Sequence, residues 1–303
     1  MAILITGSNG LIGKSLTYIL LKKNKNIICL DKSLSKETII NKKIKKIESN
    51  ILNKKDLFKK LKSTKFDTII HLAAFLGVKK TEKDQSKCLK INIEGTKNIL
   101  EVAKVHKVKK IIFASSSEVY GNGYKSIMKE SDKLMPKSSY GVSKVTCEDI
   151  IKSYSEKHDA NYNILRFFNV YGVNQREDFV ISKFAKEIKN RTNLKVYGTG
   201  SQIRCFCHVE DAVKGIYSVL KKGKKNTTYN VGNNYEPISI FNLAQKINSL
   251  SGNKVKIKKI SFTKSDRSIK REIFYRKPDI SKINRDTNYK PQIKLDNGLL
   301  EMI

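Results

Sequence analysis

Long apolar runs are absent from this chain. None approaches the roughly eighteen residues that a membrane-spanning helix needs, so a membrane partner is not expected. The first six residues already read as a strand. They carry neither a basic leader nor a small-residue cleavage site, so no secretory leader is expected. Cysteine is scarce and unpatterned. Cys29, Cys88, Cys147, Cys205 and Cys207 make an odd set without disulfide-framework spacing, which fits a reducing, cytoplasmic setting. Cys205 and Cys207 form a C-x-C pair, but no second cysteine pair lies nearby. Burial in a strand is the expectation for them, and no metal.

Acidic residues are also few, 28 against 61 lysines and arginines, for a formal net charge of +33. Such a balance can serve nucleic acid or a membrane surface. Here the lysines are spread over the whole chain, with no basic tail and no aromatic-interleaved basic stripe. A nucleic-acid partner is therefore not expected, and the charge suits an anionic small molecule. Internal repeats and low-complexity linkers are missing too. What remains is a 303-residue chain, 39% hydrophobic and 29% charged, long enough to bury a sizeable core.

The hydrophobic pattern alternates. Strands are expected at 3–6, 27–30, 47–48, 68–72, 111–114 and 163–167, with helices at 11–23, 54–62, 87–106 and 140–158. Short apolar strands between amphipathic helices predict an α/β fold, a doubly wound parallel sheet. Beyond residue 168 the pattern loosens. Helices are expected at 179–190, 210–220 and 238–250, and strands at 194–197, 203–209, 228–231 and 255–260. Residues 262–288 read as polar and irregular. One body with a second, smaller lobe fits this better than two tethered domains.

Two stretches carry chemistry. Gly7, Gly10 and Gly13, in TGSNGLIG at 6–13, stand between the first strand and the first helix. Gly7 permits a tight turn. Gly10 lets a pyrophosphate approach the backbone at a helix N-terminus, where free N–H groups favour anions. Gly13 is expected to allow close helix–sheet packing. Asp31 ends the second strand, where a carboxylate accepts from both ribose hydroxyls of NAD and repels the 2′-phosphate of NADP. Lys32 beside it softens that preference. Further on, Tyr140 and Lys144 lie four apart at a helix start and share a face. A close ammonium and a nicotinamide cation favour the phenolate, so Tyr140 can take the proton of a sugar hydroxyl. Ser116, in the polar run ASSSEVYG at 114–121, completes a triad.

With these motifs the chain resembles the extended short-chain dehydrogenases/reductases of the NAD-dependent epimerase/dehydratase family, which act on nucleotide sugars. The resemblance covers nearly the whole sequence: TGSNGLIG at 6–13, Asp31, HLAA at 71–74, Asn92, SSSEVYG at 115–121, YGVSK at 140–144, RFFNVYG at 166–172, YGTGSQIRCFCHVEDA at 197–212 and RKPDISK at 276–282. It implies a Rossmann-type NAD-binding domain over 1–168, rejoined by 208–235, and a nucleotide-sugar-binding lobe over 169–303. NAD would be held by Gly7, Asn9, Gly10, Leu11, Ile12, Gly13, Asp31, Asn50, Ile51, Leu72, Ala73, Ala74, Tyr140 and Lys144. Asn50 departs from the Asp that relatives often carry, although an amide oxygen still accepts from the adenine amino group. Ser116 would bind the reacting sugar oxygen, with Tyr140 as base and Lys144 activating it. Asn169 would contact the diphosphate or sugar, and Arg204 the diphosphate. In many relatives the two long helices form a homodimer contact, although they also serve simply to cover the sheet. The chain ends sooner than many relatives, as if a final helix were trimmed.

The reaction is narrowed by Ser117, expected among the substrate contacts, and Glu118, expected among the catalytic residues. The 4,6-dehydratases resembling this chain carry adjacent Asp and Glu there, and the missing acid demotes dehydration. The Ser-Glu pair matches UDP-glucuronate decarboxylases, as does Arg276, whose counterpart lies in the sugar pocket. Similar arginine-rich stretches occur in sequences resembling UDP-glucose-type 4-epimerases. Decarboxylation of UDP-glucuronate therefore leads narrowly over 4-epimerisation. A non-catalytic NAD-binding scaffold is the reading from another class, opposed by the intact Ser116, Tyr140 and Lys144.

Overall fold

A computed structural model describes residues 1–34, 41–122, 127–252, 255–265 and 269–303. Its centre is a seven-stranded sheet built from β1 (Ala2–Thr6), β2 (Ile27–Asp31), β3 (Ile44–Glu48), β4 (Phe66–His71), β5 (Lys110–Ser116), β6 (Asn161–Phe167) and, later in the chain, β11 (Thr227–Val231). The strand order is β11-β6-β5-β4-β1-β2-β3, and every neighbouring pair is parallel. The order reverses between β1 and β4. In such sheets ligands bind at that switch point, beyond the carboxyl ends of the strands.

The pleat explains why both faces are covered. Ile3 and Ile5 enter one core, with Leu16 and Leu20 of α1 (Leu11–Lys22) and Val213 and Ile216 of α7 (Val209–Lys222). Leu4 points the other way, into a second core with Leu57 of α2 (Lys54–Leu61), Ile99 of α4 (Gln85–Val105) and Ile151 of α5 (Ser139–His158). The two long helices start on capping side chains. Asp84 accepts from Lys87 N ahead of α4, and Ser138 accepts from Gly141 N ahead of α5. A six-residue helix, α3 (Val78–Lys83), precedes α4 and is not evident in the sequence pattern.

The remaining strands and α-helices of the described residues are β7 (Val170–Tyr171), α6 (Val180–Lys189), β8 (Leu194–Tyr197), β9 (Ile203–Cys205), β10 (Cys207–His208), β12 (Pro237–Ser239), α8 (Ile240–Leu250), β13 (Ile257–Ile260), β14 (Tyr275–Arg276), α9 (Ser281–Thr287) and α10 (Leu295–Leu300). These form three small sheets, β10-β7, β12-β9-β14 and β13-β8, around a third core that includes Phe184, Leu194, Leu243 and Leu299.

Several expectations need correction here. The stretch 203–209 is not one strand but β9 and β10, followed directly by α7. The weak strand at 47–48 is five residues long, held by β2 through Ile27↔Ile44 to Asp31↔Glu48. The irregular stretch 262–288, whose residues 266–268 lie outside the described ones, contains β14 and α9. Two residues cannot announce a strand by periodicity, and β14 exists through its pairing with β9. Ile283 of α9 is buried in the core of α1 and α7, so the chain returns to the main sheet near its end. Cys205 and Cys207 are buried on neighbouring strands, and burial pushes both thiols up to about 12. Among the described residues no helix is long and apolar enough to cross a membrane.

Candidate active site

At the switch point the glycine loop after β1 meets the segment after β4. Leu72 N donates to Thr6 O, and Ala73 N donates to Thr6 Oγ1. Gly7 sits at φ +71°, and a Cβ there would stand 2.6 Å from Ala73 N. This glycine is required by the protein itself, for its left-handed backbone and for the crossing strand end. Gly13 is different from its expected role. A Cβ on it would stand 2.7 Å from Ser8 Cα, so the close approach is to the loop and not to the sheet. Gly10 has no such constraint. Its φ is −74°, and a Cβ would meet only Gly7 O, at 3.3 Å. It caps α1 without a side-chain hydrogen bond, leaving the N–H groups of the first turn open to an anion. That open cradle fits a pyrophosphate.

The remaining nucleotide positions are mixed. Asp31 accepts from Asn9 N at 2.9 Å and from Ser33 N at 3.4 Å, tying the glycine loop to the end of β2. A carboxylate accepts about four hydrogen bonds, so it retains capacity for a ribose. Leu11 and Ile12 are half-buried against the first core, and residues 72–74 are half-buried along the switch point. Asn50 is exposed, with Oδ1 accepting from Leu52 N at 3.0 Å. Ile51 turns its side chain into the second core against Gly95.

Sequence reasoning gave His71 no role. The structure places it at the centre of the nucleotide end. Thr96 Oγ1 donates to Asn92 O, so its hydroxyl can only accept from His71 Nε2. His71 is then the Nε2–H tautomer, and its Nδ1 accepts from Thr6 Oγ1 at 2.6 Å. Burial, aided by the charge of Lys144, pushes its pKa down to about 3. Asn92 continues the chain, accepting from Phe75 N and donating to Ser143 Oγ beside Lys144. A histidine in an apolar strand gives no sequence signal of such partners.

The polar run at 114–121 resolves residue by residue. Ser115 donates inward to Glu148. Ser116 lies near enough to the Tyr140 phenol to favour its ionisation, and its Oγ accepts from Glu118 N at the start of a 3-10 turn, Ser117–Tyr120. Ser117 is buried, at 2% exposure. Glu118 accepts from Ser138 Oγ at 2.5 Å and from Arg276 Nη2 at 3.2 Å. Because Ser138 also caps α5, one carboxylate joins the helix of Tyr140 to the arginine of β14.

Lys144 Nζ donates to Ala114 O at 2.7 Å and lies 5.6 Å from the Tyr140 ring. Burial lowers its pKa to about 8. The Tyr140 phenol is pushed upward, first by burial and then by the Glu118 carboxylate, with the Ser116 hydroxyl pulling the other way. In the chain alone burial, more than any neighbouring charge, holds the phenol protonated.

Arg204 and Arg276 are register partners on β9 and β14 and so share a face. Both are buried. Arg204 pairs with Glu272 and donates to Ile203 O, so it is not an exposed strand arginine. Asn169 adopts φ +37° and donates to Cys205 O at 3.0 Å, fastening the bend after β6 to β9.

The family model described as NAD dependent epimerase/dehydratase matches residues 3–232. The chain is 33% identical to a UDP-N-acetyl-alpha-D-glucosaminuronate decarboxylase of Bacillus cytotoxicus, over 99% of this chain and 96% of that protein. It is 30% identical to a UDP-glucuronate 4-epimerase of Thermodesulfobacterium geofontis, over 98% and 93%. Among solved structures, the UDP-glucuronic acid 4-epimerase from Bacillus cereus, in complex with UDP-glucuronic acid and NAD, superposes with a TM-score of 0.90 at 29% identity, covering 100% of this chain and 98% of that one. Glycine cradle, serine–tyrosine–lysine set and sequence likeness agree: this chain belongs to the NAD-dependent epimerase/dehydratase family, whose cofactor is NAD.

Proposed function

We propose that this enzyme decarboxylates a UDP-hexuronate, UDP-glucuronate or its 2-acetamido analogue, after oxidation at sugar C4. The observation that carries the reading is the buried pair of Arg276 with Glu118, beside the helix of Tyr140. Two relatives named for UDP-uronates, a decarboxylase and an epimerase, support the substrate class.

The residues divide the work. Gly10 and the open first turn of α1 would hold the pyrophosphate of NAD, and Asp31 its ribose. Bound NAD supplies the hydride acceptor. Ser116 orients the C4 hydroxyl and Tyr140 takes its proton, with Lys144 stabilising the phenolate. Arg204 and Arg276 offer guanidinium groups to the diphosphate and to the sugar carboxylate. With C4 a ketone, the C6 carboxylate is that of a β-keto acid. The C5–C6 bond breaks, CO₂ leaves, and its electron pair forms the enolate, which C5 protonation and C4 reduction complete.

Epimerisation at C4 of the same uronate is the second reading, favoured by the Thermodesulfobacterium geofontis relative. It requires no group beyond Ser116, Tyr140 and Lys144. Incubation with a panel of UDP-sugars, read by product mass, separates the two. Loss of one CO₂ is expected. An unchanged mass with altered retention would replace decarboxylation by epimerisation, and no product from any UDP-sugar would remove the catalytic reading.

A further inference from the structure

The chemistry-bearing residues reach the site from two sides: Tyr140 and Lys144 on α5, Arg276 on β14. Beneath them runs a chain of buried polar contacts that the proposed reaction does not use. It begins at Glu148, one helical turn beyond Lys144. The Glu148 carboxylate accepts from Ser115 Oγ at 2.5 Å, from Arg166 Nε at 3.0 Å and from Arg166 Nη2 at 2.7 Å. Arg166 Nη1 donates to the Tyr120 hydroxyl at 3.0 Å and to Glu130 O at 3.1 Å. Tyr120 donates in turn to Asn230 Oδ1 at 2.6 Å. Asn230 Nδ2 donates to Met128 O at 2.9 Å and to Asp279 O at 3.1 Å.

Those last two carbonyls belong to segments that are themselves paired. Met128 N donates to Lys277 O, and Asp279 N to Met128 O, both at 2.8 Å. Arg276 immediately precedes Lys277. Its own strand is two residues long, too short to hold a position by its ladder alone. Asn230 stands on β11, the edge strand of the main sheet, and is fully buried. An amide offers one acceptor and two donors at once. Leucine would take the Asn230 donor from Asp279 O and leave Met128 O with Asp279 N alone, and aspartate would turn both donors into acceptors.

We propose that Asn230 is a positioning residue for Arg276. It bolts the 277–279 segment to the edge of the main sheet and so holds the guanidinium against Glu118. This rests on the reading that Arg276 contacts the substrate.

A double-mutant cycle tests it. Asn230→Ala should lower kcat on UDP-glucuronate about tenfold while the Kd for NAD stays within about twofold. In an Arg276→Lys background the same change should cost less than about twofold, because the group being positioned is already altered. Equal losses in the two backgrounds, or a parallel loss of NAD affinity, would overturn the proposal in favour of a structural role. Tyr120→Phe removes one hydroxyl and leaves both Asn230 donations in place. It should cost about two- to threefold, again only where Arg276 is intact. If Asn230→Ala does not fold, Tyr120→Phe in both backgrounds decides by the same criterion. A wild type that releases no CO₂ overturns the decarboxylase reading alone. The cycle is then read on transient nicotinamide absorbance with the UDP-sugar that produces it, and unequal losses there uphold the positioning role while equal losses end it.

Discussion

The glycine loop at 7–13 and the arginine segment at 275–279 face the same site but are built by different means. The loop is held by its own backbone and by the ends of β4 and β2, with Gly7 against Ala73, Gly13 against Ser8 and Asn9 N on Asp31. The arginine segment is held by partners from across the chain, Glu118, Met128 and Asn230. A locally built site writes itself into residue spacing. A site assembled at a distance does not, and it offers more independent ways to be tuned.

The two regions meet at Tyr140, and the largest effect is expected there. Tyr140→Phe should lower turnover about a thousandfold under either reaction, measured by product formation and by loss of transient nicotinamide reduction. Retention of more than about a tenth of the activity would move the base elsewhere. Arg276→Ala acts on one side only. It should reduce turnover of a UDP-hexuronate about a hundredfold while NAD affinity changes by less than about twofold. A variant equal to wild type would remove the decarboxylase argument.

The opposite side can be divided within itself. Gly7→Ala should destabilise the protein by about 2–4 kcal/mol in denaturant unfolding, from a left-handed backbone plus a backbone clash. Gly10→Ala should cost about 1 kcal/mol or less, yet weaken NAD binding about tenfold. Equal stability losses would mean that Gly10 serves the fold and not the pyrophosphate.

The smallest effect concerns His71. Unfolded, its ring takes a proton near pH 6.5, whereas the folded ring resists protonation down to about 3. The unfolded state therefore binds more protons between those values, and stability falls as pH drops through the window, by about 1.4 kcal/mol per unit at most. Urea unfolding at pH 7, 5.5 and 4.5 should show this slope, and His71→Gln should flatten it. An unchanged slope in that variant would assign the acid sensitivity to carboxylates instead.

Much of the nucleotide end was legible because strand, turn and helix follow one another within a dozen residues. Tyr140 and Lys144 were legible because four residues make one helical turn. The reason for Gly13 was not, since its neighbour is the loop itself and not the sheet. That Ile51 packs its side chain against Gly95 was not legible either, because the two lie 44 residues apart and meet only in the folded core. The state of Tyr140 was also out of reach. A sequence shows the lysine four residues away, but not that burial, and after it Glu118, pushes the phenol upward.

The sequence alone determined the alternation of strands and helices, the parallel sheet and the glycine cradle, because periods of 2 and 3.6 and a short turn are local properties of a chain. Only the tertiary structure decided what Glu118 holds. It stands 158 residues from Arg276, and their pairing depends on a two-residue strand, an edge asparagine and a helix cap brought together by packing. No spacing rule spans that distance, because the intervening cores set it.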